Sequence, residues 1–157
     1  MPVQTAYTNE HIPGFVGQYG DLETSNILSR SAEVILDFGL AVVRGTADDQ
    51  CKLATATGGS FLGITGRTIA GTADTAGDRK YQVGESVNIL DLGTIYAICE
   101  DGCTQGDPVY FRHTAGAGGT VIGALRTTAD TATADLIPNA VWDTTVAAGA
   151  IGLVKFK

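Results

Sequence analysis

From residue 33 onward, apolar residues alternate over short runs and glycines punctuate them. In "EVILDF" (33–38), Val34, Leu36 and Phe38 fall on one face, with Glu33 and Asp37 opposite. Gly39 breaks that run, and "LAVVRG" (40–45), "QCKLA" (50–54) and "SFLGITG" (60–66) follow. The last is too apolar for a strand with one wet face. "ESVNILDLGTIYAICE" (85–100) predicts a hairpin with Gly93 at its turn. Val87 and Ile89 face inward on its first limb, and Ile95, Ala97 and Cys99 share a face on the second. "DPVYFR" (107–112), "TVIGAL" (120–125), "NAVWD" (139–143) and "AIGLVKF" (150–156) complete the set. No long window carries a helical stripe. The pattern predicts an all-β domain, a β-sandwich or a jelly-roll-like β-barrel.

Residues 1–32 follow neither period. Pro2, Pro13, Gly14, Gly17 and Gly20 break them up, and Tyr7, Phe15 and Tyr19 stand between polar residues. They predict an extended N-terminal arm with isolated aromatic anchors, joined to a single β domain over 33–157. A short helical turn over 22–29 is the one element expected inside the arm, with Asp21 as its cap. Two Thr/Ala/Asp-rich stretches, 68–79 and 126–137, share the string TADTA and predict exposed connectors.

Composition narrows the partners. Ten basic against 17 acidic residues give a formal charge of −7, and the basic residues are scattered. A phosphate backbone needs a basic stripe, so neither nucleic acid nor an anionic membrane is an expected partner. Charged residues are only 17% of the chain, below the usual share of about 25%. Such a surface is either Thr-, Ser- and Gly-rich or covered by another protein. Three cysteines do not make a closed disulfide set. The first residues lack the charged and apolar blocks of a signal peptide, so synthesis in the cytosol is expected.

The densest chemistry lies in "GDPVYFRH" (106–113). Strand parity puts Asp107 and Arg112 on opposite faces, and Asp107 and His113 stand about 20 Å apart along an extended chain. The stretch therefore lacks an acid–base pair of its own. Gly106, Asp107 and Pro108 predict a turn, Val109 and Phe111 the core, and Tyr110 and Arg112 a side that meets solvent or a neighbour. His11, His113 and the cysteines do not make a metal set, and "CEDGC" (99–103) predicts an acidic hairpin tip with Cys99 in the core. No phosphate loop or nucleophile elbow is present, since "GITGRTIAG" (63–71) lacks the P-loop lysine and "GGSFLG" (58–63) has no marked partner for Ser60. Neither a catalytic residue nor a cofactor is expected. A carbohydrate-binding module using Trp142 and Tyr96 as stacking faces is the alternative, though a lone Trp among Ala and Val reads as core.

Taken in order, "PGFVGQYGD", "FGLAVVRG", "CKLA", "FLGITGR", "YQVGESVNILDLGTIYAICEDG", "QGDPVYFR", "NAVWDT" and "GLVKF" resemble the structural cement proteins of tailed bacteriophages. "LGITGR", "VGESVNIL", "GTIYAI" and "GDPVYFR" carry the likeness, which covers the body and, loosely, the arm. The resemblance implies an oligomer, a dimer or trimer, on the outside of a capsid. There it bridges neighbouring major-capsid-protein subunits and performs no catalysis. Tyr7, Phe15 and Tyr19 on the arm, with Tyr110 and Arg112 on the body, are the expected partner contacts.

Overall fold

The computed structural model describes residues 14–21, 23–69, 73 and 79–157. Ten strands and no helix form among them. β1 (Asn26–Ala32), β2 (Ala41–Arg44), β3 (Gln50–Lys52), β4 (Phe61–Thr65) and β5 (Ser86–Leu92) close into a barrel in the order β1-β3-β2-β4-β5. Its pairs are antiparallel except β1 with β3. β6 (Thr94–Ile98), β7 (Pro108–Arg112), β8 (Leu125–Arg126), β9 (Ala134–Trp142) and β10 (Ile151–Phe156) form a second sheet in the order β6-β10-β9-β7-β8. A parallel bridge from Cys99 to Leu125 curls this sheet back towards the end of β6.

The two cores explain why "SFLGITG", over β4, is apolar on both faces. The residues of β2, β4 and β5 divide between two clusters. Val42, Leu62, Val87 and Ile89 pack with Leu36, Phe38, Cys51 and Tyr81. Ala41, Val43, Ile64 and Leu90 pack with Ile95, Phe111, Trp142 and Val154 of the second sheet. The residues that face the two clusters are apolar and buried, while Arg44 of β2 and Ser86, Asn88 and Asp91 of β5 keep some exposure. Phe61 joins the halves by stacking on Phe111 and Phe156, at ring separations of 5.5 and 6.3 Å.

Three expected elements differ. Residues 26–32, which the pattern placed in the arm with a helical turn over 22–29, form β1. Pairing with β5 and β3 sets this strand, and its own burial is too slight to show an apolar period. "EVILDF" makes only one bridge, from Leu36 to Tyr81. The Glu33 carboxylate takes the Thr46 N–H at 2.7 Å, and the Thr65 hydroxyl donates to the Asp37 carbonyl, so the segment bends. Leu36 and Phe38 are still buried, while Val34 and Ile35 are exposed. Residues 85–100 are not a hairpin. β5 and β6 lie in different sheets, and the chain crosses between them at Gly93, whose φ of 113° favours glycine.

Candidate interaction surface

Residues 17–20 of the arm lie against the body. Gly17 N–H donates to the Tyr96 carbonyl at 2.7 Å, Tyr96 N–H to Gln18 at 2.9 Å, and Gly20 N–H to Thr94 at 2.9 Å. Residues 17–20 thus cover the open edge of β6, which blunts a sheet edge that would otherwise pair with a stranger. Tyr19 bridges Ile95 and packs on the core beside it. It is half-buried, its hydroxyl lacks a hydrogen-bond partner, and burial raises its pKa. Phe15 behaves differently. It is 70% exposed, with the Arg67 guanidinium 5.4 Å above its ring. Tyr7 and His11 lie outside the described residues.

The second feature is a buried ion cluster built from arginines at the ends of β7 and β8 and acids on two loops. Arg112 is 0% exposed. Its Nη2 donates to Glu100 at 2.7 Å and to Asp130 at 2.8 Å, its Nε to Glu100 at 3.0 Å, and its Nη1 to Thr133 at 3.0 Å. Arg126 adds bonds to Glu100 and Asp130, both at 3.0 Å, and reaches Asp101 at 3.4 Å. Asp101 also accepts the Thr127 N–H at 2.9 Å. The hydrogen bond from Arg112 is the largest influence holding the Asp130 carboxyl below its ordinary pKa. A loop of small residues lies over the cluster, and a Cβ on Gly119 would overlap the Glu100 carboxylate.

This cluster corrects three expectations. Arg112 does share a face with Tyr110, but that face is roofed at Arg112, so its guanidinium cannot meet a partner directly. "CEDGC" is no free acidic tip, because its two acids are held by arginines. The 126–137 stretch is likewise no loose connector. Its first part is locked by the cluster, and residues from Ala134 onward enter β9. Asp130, Thr131 and Ala132 all adopt positive φ, at 44°, 56° and 63°. Such backbone costs about 1–2 kcal/mol per non-glycine residue, and the ion pairs at Asp130 help to hold it. Sequence spacing gave little hint of this, since Arg112 meets acids 12 and 18 residues away, and Arg126 acids 25 and 26 away, only through sheet topology.

The remaining candidates sort plainly. Asp107 is a turn residue, accepting the Thr104 N–H at 2.8 Å. His113 is buried, with Nδ1 against the Thr114 hydroxyl at 2.9 Å and Nε2 3.7 Å from Asp135. Tyr110 stays half-accessible beside the exposed Leu136, its cross-strand neighbour. Trp142 is fully buried and offers no stacking face, while Tyr96 is half-buried over Gly14. The three cysteines are free and buried. Burial pushes the Cys51 thiol up to about 11 and also raises Cys99 and Cys103, so little thiolate forms. Among the described residues no group of His, Cys, Asp and Glu is placed to hold a metal, and no helix is long and apolar enough to cross a membrane.

A double-core β body with ion-locked loops, an edge-capping arm and exposed aromatic and aliphatic surface has the build of a structural protein. A protein-family model described as "Structural cement protein (E217 gp24/Pam3 gp6)" matches residues 3–157, and the chain belongs to that family. Its fold is similar to a chain in the solved structure "The capsid of Myoviridae Phage XM1", with a TM-score of 0.73 and 16% identity. That match covers 99% of this chain and 97% of the other, and it is a likeness of fold. A weaker likeness, TM-score 0.46 and 11% identity over 85% of this chain and 95% of the other, is to "The crystal structure of head fiber gp8.5 N base in bacteriophage phi29". No curated protein matches it in sequence.

Proposed function

We propose that the protein docks on the outer surface of an assembled bacteriophage capsid and bridges adjacent major-capsid-protein subunits. The family match over residues 3–157 is the observation that carries this reading. It works as a dimer or trimer, made in the host cytoplasm, with neither nucleic acid nor membrane as partner and without catalysis. Each copy reaches several subunits, so modest contacts add through effective concentration. Phe15 supports the arm as one contact, because a large ring left 70% exposed beside a cation is a ready anchor. Tyr7 lies on the same arm. Tyr110, beside exposed Leu136, is a contact on the body. Tyr19 and Arg112 serve from within, one fixing the arm to β6 and the other shaping the 126–133 loop.

Co-sedimentation with shells lacking this protein tests the reading. The full chain is expected to pellet with expanded shells and to raise their resistance to heat. Replacing Tyr7 and Phe15 together by alanine is expected to weaken binding about tenfold or more, with the melting temperature unchanged. Full affinity in that double variant removes the arm from the interface. Failure of the unaltered chain to bind shells removes the capsid reading itself.

A further inference from the structure

Where the arm, the barrel and the second sheet meet, an open groove of about 450 Å³ deepens into an apolar hole of about 140 Å³. Val16, Phe38, Leu40, Ile98, Val121 and Ala124 line the hole. Ile98 is 46% and Val121 54% exposed, so apolar surface continues from the hole to its lip. Glu100 borders the hole, but its carboxylate is held by Arg112 and Arg126. The outer groove carries three basic residues, Arg67, Arg79 and Lys80, against one acid, Asp37. Arg67 and Arg79 stand on its rim in a chain of net charge −7, and neither has a carboxylate partner among the described residues. Arg67 lies 5.4 Å from the rings of Phe15 and Phe38, while Arg79 donates to the Ile69 carbonyl. Lys80 lines the same rim 3.5 Å from Asp37.

We infer that this groove receives an extended acidic segment of the shell protein, which inserts one large apolar side chain into the hole and lays a carboxylate against Arg67 and Arg79. The inference rests on the capsid reading above and names the chemistry of one of its contacts. An apolar anchor in a fitted hole supplies the desolvated centre of an interface, and opposite charges at the rim fix register and speed encounter. Arg67 and Arg79 line the groove that opens into the apolar hole, so one segment can meet the hole and both guanidiniums together.

Shells lacking this protein are the probe. Val121→Asp puts a like charge at the lip of the hole, and Arg79→Glu reverses the rim. Each is expected to weaken shell binding about tenfold or more, while Arg79→Lys keeps the charge and stays within about threefold of the unaltered chain. Both changes fall on exposed side chains, and circular dichroism and melting temperature are expected to match the unaltered protein. Val83→Asp, at a 65% exposed position outside the groove lining, checks that a new acid alone does not account for the loss. Binding by the unaltered chain with unchanged binding by Val121→Asp and Arg79→Glu overturns the groove and leaves the capsid reading standing. Absence of binding by the unaltered chain overturns both. If Val121→Asp instead turns the free protein from oligomer to monomer and still binds shells, the groove holds a second copy and the proposal fails.

Discussion

Arg112→Met is expected to lower stability by about 3 kcal/mol, which for a chain of this length is a fall of roughly 6–12 °C in melting temperature. Removing the guanidinium leaves Glu100 and Asp130 facing each other with only Arg126 between them. A fully buried pair broken in this way costs about 3–5 kcal/mol. The lower end applies because the two acids keep 14% and 19% exposure, so water screens part of the repulsion. The effect has a pH signature. The Asp130 carboxyl titrates below its ordinary value of 3.8, chiefly through the Arg112 hydrogen bond. A depressed carboxylate contributes stability above its unfolded pKa and loses it as pH falls through the folded one. The gap in melting temperature between the unaltered chain and Arg112→Met therefore narrows as pH drops below about 4. A constant gap across that range would mean that Asp130 is not the partner that matters. Proteolysis provides a second reading, since the variant frees the positive-φ turn at 130–132 and should be nicked there first.

Arg112 also marks the boundary of what the sequence can tell. Alternation placed Val109 and Phe111 in the core, and they are 0% and 2% exposed. Alternation likewise set the inward faces of β5 and β6. It failed where the decision is tertiary. Parity puts Arg112 on the polar side of β7 but is blind to the loops that roof it. The same limit applies at 85–100, where two correctly phased strands part company at Gly93 into different sheets. β1 is the converse case: its side chains show almost no pattern, because the neighbouring strands β5 and β3 define it. Of the stretch expected as an arm, residues 17–20 run along β6, while 26–32 belong to the barrel. That Tyr19 turns inward while Phe15 turns outward depends on the backbone bonds to β6, which no local signal announces.

Gly63→Ala is the second large effect. Gly63 sits in the middle of β4, which is buried on both sides and paired to β2 and β5. A Cβ there would stand 2.3 Å from the Leu90 carbonyl oxygen and 2.7 Å from the Ile89 side chain. The obstacle is backbone, so relief requires β4 and β5 to separate, and the two cores share that junction. A cost of about 3 kcal/mol or more is expected, at the upper range of overpacking. Gly58→Ala is the control. That glycine also has positive φ, 77°, but faces open space, so only the conformational penalty of about 1 kcal/mol applies. Chemical denaturation of the two variants should rank them in that order. Equal stabilities would show that β4 and β5 do not approach as closely as described.

The proposed role is that of a rigid β body that presents contacts to a shell. The most direct measurement is an electron cryo-microscopy reconstruction of capsid shells incubated with the full chain. The account predicts density on the outer surface, each copy spanning at least two neighbouring shell subunits. Density on the inner surface, density confined to a single subunit, or bare shells would contradict it.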